Sequence, residues 1–160
     1  MNAAYLKFGA MIVTSVLVML GLMYLHTYQF DHVFWSDTRF FMALIMGAGM
    51  MVVMLTFMLN MYTSTKANLA IYAGAVVLFL AALYLVRSQA TVGDISYMKA
   101  MIPHHSIAIL TSERARIKDP RVRHLADEII TAQRKEIAEM KALIGDLQGG
   151  PKATPEIDGR

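Results

Sequence analysis

The stretch Tyr97-Met98-Lys99-Ala100-Met101-Ile102-Pro103-His104-His105 gathers thioethers and imidazoles within nine residues. On a helix, Met98, Met101 and His105 share one face, because positions three and four apart lie over one another. Further on, Glu136 and Met140 are one helical turn apart. If the chain reverses at Asp119, counting outward sets His105 level with Gln133, Met101 with Ile137 and Met98 with Met140. Such a reversal would collect Met98, Met101, His104, His105, Glu136 and Met140 as candidate metal ligands. Thioether with imidazole suits copper, and thioether favours Cu(I), whereas zinc more often takes Cys, His and carboxylate. The plainer alternative is packing: methionine at helix-face spacing commonly fills core gaps, and a His pair often sits in an interface.

Two further sets carry weaker expectations. Met23, His26 and His32 form a possible secondary point of metal uptake, since a histidine at the end of an apolar segment is a functional hypothesis by default. Met42, Met46, Met50, Met54 and Met58 recur every fourth residue, with Met51 and Met61 nearby. A soft-metal path is conceivable there, but steps of four advance about 400° around a helix, so the row winds rather than lining one face. His124 stands among Arg121, Arg123 and Glu128 and reads as a solvated-face residue. The basic cluster over residues 114–123 reads as a charged helix turn. Catalysis is not indicated: the chain has no Glu-x-x-His pair of a di-iron bundle, no zincin motif, no phosphate-binding Gly loop and no nucleophile elbow. No nucleic-acid role follows from the pI of 9.2, because the second half mixes both charge signs.

The elements that must hold these residues follow from composition. Of 160 residues, 56% are hydrophobic and 17% charged, with a mean hydropathy of +0.45. A soluble domain carries about 25% charged residues and cannot hide so much apolar surface at this size, so the excess faces lipid or a partner. Absence of cysteine excludes a disulfide scaffold and fits a thioether–imidazole site in an oxidising compartment. Lys7 to Asp31, Arg39 to Lys66 and Lys66 to Arg87 each enclose a stretch free of Asp, Glu, Lys and Arg, about the length a helix needs to cross a bilayer, which gives spans over residues 5–28, 40–62 and 67–86. The first is too long for a cleavable signal and is read as an anchor. Gly47-Ala48-Gly49 and Gly74 permit close helix approach. Lys7 and Lys66 fall on one side, Arg39 and Arg87 on the other, which weakly favours a cytoplasmic N-terminus and a C-terminal module outside.

After a connector ending at Gly93, Asp94 is a candidate N-cap, with Ile95, Ile102 and Ile109 forming a seam seven residues apart. Pro103 should kink this helix or start it afresh. Asp119-Pro120 is a restart signal, and Ile130, Ile137 and Ile144 repeat the seam before Gly149-Gly150-Pro151 stops the helix. The expected fold is therefore all-α, with a membrane domain over residues 1–88 and an antiparallel helical hairpin over residues 94–148. Residues 149–160 are expected to form a disordered tail. Two such helices make a poor core alone, so self-association into a four-helix bundle is expected.

Three blocks in order, Met98-x-x-Met101-Ile102-Pro103-His104-His105-x-x-Ala108-Ile109, Asp119-Pro120-x-Val122-x-x-Leu125-Ala126 and Ile129-Ile130-x-x-Gln133-x-x-Glu136-Ile137-x-x-Met140, resemble the bacterial domain-of-unknown-function 305 family over residues 94–147. The resemblance implies a ferritin-like helical domain, of which some members bind copper in the periplasm and support copper tolerance. It implies metal at Met98, Met101, His104, His105 and Met140. Where relatives carry further methionines after the His pair, this chain has Ile107 and Thr111, which implies fewer thioether ligands. The expectation is a three-pass protein of the bacterial inner membrane, binding copper, preferably Cu(I), on a periplasmic hairpin. It would buffer the ion or exchange it with a donor or acceptor protein, without turnover. The alternative is a membrane-anchored oligomerisation module that binds no metal.

Overall fold

A computed structural model describes residues 3–153, and among these residues all regular structure is helical. Five α-helices follow in order: α1 Ala3–Leu22, α2 Asp37–Phe57, α3 Thr65–Ser88, α4 Asp94–Arg114 and α5 Pro120–Leu147. Short 3-10 turns lie at Phe30–His32 and Leu59–Met61. The chain divides into two compact units. Met1–Met23 with Asp37–Thr91 form one, and Tyr24–Ser36 with Val92–Arg160 form the other. Residues 24–36, which lie within the expected membrane domain over residues 1–88, group with the C-terminal helices.

In the first unit, α1, α2 and α3 are each long and apolar enough to cross a membrane. Their interior is small: Phe8, Ile12, Leu55 and Tyr62 are buried, with Met50, Met51, Met54 and Met58 packed against them. The methionine row winds as its spacing requires, since Met42 and Met46 are exposed while the later members turn inward. On α3 the buried positions are Asn68, Ala75 and Ala82, a seam of small side chains that lets a neighbouring helix approach. Asn68 donates to the Tyr62 carbonyl at 2.7 Å and accepts from the Tyr5 hydroxyl at 2.9 Å, tying the start of α1 to the start of α3. Gly47 is the close-approach glycine: a Cβ there would meet Val16 Cγ2 at 2.5 Å, whereas Gly49 and Gly74 face open space. Leu17, Val53, Val77 and Leu80 point outward, as a lipid-facing surface requires.

In the second unit, α4 and α5 pack side by side over both isoleucine seams. Met98, Ile102, Ile109, Ile137 and Ile144 form the core, flanked by Ile95, Ile130, Met140 and Leu143. Ile102 is fully buried, a contribution of roughly 1.5–3 kcal/mol for a side chain of that size. Gly93, not Asp94, is the N-cap of α4; the helix starts one residue earlier than expected and Asp94 sits in its first turn. There its charge complements the helix dipole. Pro103 does not restart the helix, which runs unbroken to Arg114. At α5 the Asp119 carboxylate accepts from the Arg121 amide at 2.8 Å and Pro120 fills the first turn. The helix ends where Gly149 adopts φ +89 and the Gly150 amide reaches back to the Gly145 carbonyl. Residues 149–153 are irregular, and the remainder of the expected tail, 154–160, lies outside the described residues.

Candidate metal site

The proline inside α4 removes the amide that would bond the Lys99 carbonyl, yet the sequence around it keeps helical spacing and lays Met98, Met101 and His105 along one side. From α5, Glu136, Met140 and Leu143 face the same space. The result is an open cavity of about 620 Å³ lined by Met98, Met101, His105, Glu136 and Met140 together with Tyr97, Leu143, Leu147, Asp94, Glu139 and Asp146. Every ionised side chain on that lining is acidic, so the groove favours a cation. His105 Nε2 lies 2.6 Å from Glu136 Oε2. Its Nδ1 is buried with no hydrogen-bond partner. A buried imidazole nitrogen without a partner is costly, and a metal ion is one way to satisfy it.

The register differs from simple counting. His105 meets Glu136, three residues farther from the turn than Gln133. Side chains tilt toward the N-terminus of their own helix. In an antiparallel pair, an α4 side chain therefore meets an α5 residue lying farther from the turn. His104 goes elsewhere: it is exposed and absent from the cavity lining, although its ring lies 6.0 Å from that of His105. Among the described residues, no three His, Cys, Asp or Glu side chains converge as a metal cluster. What lines the cavity is the His105–Glu136 pair with three thioethers, Met98, Met101 and Met140.

His26 is exposed, while His32 is buried, its Nδ1 2.9 Å from the Ser106 hydroxyl. The same hydroxyl oxygen accepts from the Tyr28 amide at 2.7 Å, and Lys141 donates to Asp31 at 2.6 Å. Burial chiefly, and the nearby Lys141 ammonium, push the His32 pKa down, with Asp31 opposing. Lys141 in turn holds the Asp31 carboxyl below its ordinary range. Sequence reasoning missed this docking of residues 24–36. The available signal was the odd number of candidate spans, which, if each crosses a membrane, puts that loop and the C-terminal helices on the same side, together with the opposite charges of Asp31 and Lys141. His124 is solvated and 3.6 Å from Glu128, and Asp119 is held below the ordinary carboxylate range by Arg121.

The family described as a domain of unknown function (DUF305) matches residues 94–157. An uncharacterised protein of Acanthamoeba polyphaga mimivirus is 37% identical over 109 residues, covering 67% of this chain and 70% of the viral protein. A stretch of that length cannot fit after Asp94, so the likeness extends upstream into the apolar helices. No solved structure matches. The three motif blocks, the matched α4–α5 region and a relative alike over most of its own length have one consequence: this chain belongs to the DUF305 family.

Proposed function

We propose that the protein is a membrane-anchored copper-binding protein that buffers Cu(I) or hands it to a partner, without catalysis. The observation that carries the reading is that three thioethers, Met98, Met101 and Met140, line one cavity with the His105 imidazole, whose buried Nδ1 has no hydrogen-bond partner. Those residues would hold the ion. A soft, polarizable donor set of this kind selects Cu(I) over harder cations. Glu136 acts one step back: by accepting from His105 Nε2–H it leaves Nδ1 as the free lone pair and fixes the ring. Around the site, α4 and α5 form an antiparallel hairpin on the periplasmic side of a bacterial inner membrane, with the N-terminus cytoplasmic. Val122, Leu125 and Ile129, spaced along α5 and exposed, supply the surface on which two hairpins complete a four-helix bundle.

The test is metal content and Cu(I) titration of the detergent-purified full chain. Stoichiometric binding is expected, lost in the His104→Ala/His105→Ala double variant and in His105→Ala alone, with helicity intact. Glu136→Gln should weaken binding by about 10–100-fold, the usual cost of losing an outer-shell partner. Unchanged binding in the double variant overturns the proposal. The exposed α5 row favours a second reading, an assembly module without metal, in which that variant changes oligomer mass and copper changes nothing.

A further inference from the structure

The helix pair has a second cavity, of about 440 Å³, where residues 24–36 pack on α4 and α5. Its chemistry is the reverse of the methionine groove. Ile109, Ile137 and Ala138 make an apolar floor, and Arg134, Lys141 and Gln29 bring polar hydrogen-bonding groups to it. No acidic side chain lines it. The two carboxylates that hold its cations in place, Glu113 on Arg134 and Asp31 on Lys141, sit outside the lining. Each of these ion pairs uses one donor, and guanidinium and ammonium carry five and three. Spare cationic donors, a glutamine amide and an apolar floor converge on a space the size of a small-molecule site, which lies in the range of about 300–1,000 Å³.

From this geometry we infer that the cavity formed by residues 24–36, Arg134 and Lys141 binds a small amphiphilic anion, a carboxylate or phosphate monoester carried on a short hydrocarbon. The anionic head takes the spare donors of Arg134 and Lys141 in charge-assisted hydrogen bonds. The hydrocarbon covers Ile109, Ile137 and Ala138. Copper plays no part, so the site stands or falls separately from the methionine groove.

Calorimetric titration of the metal-free full chain in a neutral maltoside detergent tests this, with hexanoate and hexyl phosphate as probes and hexanol and hexylammonium as controls. Saturable binding of the two anions near 1 mM is expected, with none for the alcohol or the amine. Arg134→Gln, on a side chain more than half exposed, should weaken binding about tenfold without altering helicity, and Arg134→Lys should restore part of it. Repeating the titration in nanodiscs separates the sources: loss of hexyl phosphate binding when phosphatidylglycerol is added to phosphatidylcholine assigns the site to a lipid headgroup. Undiminished binding assigns it to a soluble anion. No saturation by about 10 mM, equal binding of hexylammonium, or unchanged affinity in Arg134→Gln overturns the inference.

Discussion

His105 and His32 show how one side chain is put to two uses within the same helical unit. His105 gives one nitrogen to Glu136 and keeps the other buried and unpaired, a state suited to receiving a soft cation. His32 is buried against Ser106, and burial with Lys141 nearby depresses its pKa. The sign of the pH effect follows. Once released, residue 32 takes up a proton on falling through about pH 6.5, while docked His32 resists it, so acid favours release. Docking of residues 24–36 therefore gains stability as pH rises across that window and levels off above it. Asp31 does not oppose this, because Lys141 holds it ionised well into the acid range. Emission from Trp35, the only tryptophan, should shift as pH falls from about 7 to 5, and His32→Phe should flatten the transition. A transition unchanged in His32→Phe would rule out His32 as its origin.

At the scale of the helices, small residues decide which elements meet. Val16 of α1 seats over Gly47 so closely that a Cβ there would force its side chain to shift, while the other glycines named by the sequence, Gly49 and Gly74, have room around them. Gly47→Leu should destabilise the α1–α2 contact by about 1–3 kcal/mol, read as a lower midpoint in mixed-detergent unfolding. Adding Val16→Ala should recover part of that loss, and Gly49→Leu should leave the midpoint within error. The methionine row of α2 answers to the same packing. Its exposed members, Met42 and Met46, and its inward members, Met50, Met54 and Met58, lie on different faces, so the row is divided between surface and core contact and forms no continuous lining. In α4 the isoleucine seam carries the helix through Pro103, because burial of Ile102 and Ile109 offsets one missing hydrogen bond.

Across the whole chain, three apolar helices set a parity rule. If each crosses the bilayer, residues 24–36 and the α4–α5 unit emerge on one side, as their packing together requires. Topology mapping checks this, and the absence of native cysteine makes it clean. Cysteine at exposed Phe30 and at Lys118 should react with a membrane-impermeant maleimide from the same side of reconstituted vesicles, and cysteine at Thr63 from the other. Phe30→Cys and Lys118→Cys labelled from opposite sides would remove one of the three crossings.

The elements themselves were legible in the residues. Long uncharged runs, the Asp119-Pro120 restart and two seams of isoleucine at seven-residue spacing are local or periodic signals, and burying an apolar stripe leaves a helix few alternatives. The thioether–imidazole set was legible for the same reason, since Met98, Met101 and His105 belong to one helix and share its face whatever surrounds them. Tertiary structure decided what depends on distance across the chain. It set the three-residue offset that pairs His105 with Glu136, and it turned His104 to solvent. It also sent residues 24–36 onto α4 and α5, where His32 and Lys141 form a second, donor-rich cavity. None of these has a period to read: the His105–Glu136 offset rests on the tilt of side chains across the helix pair, and the docking of residues 24–36 rests on contacts between residues 74 to 110 positions apart, whose pairing is chosen only when the helices pack.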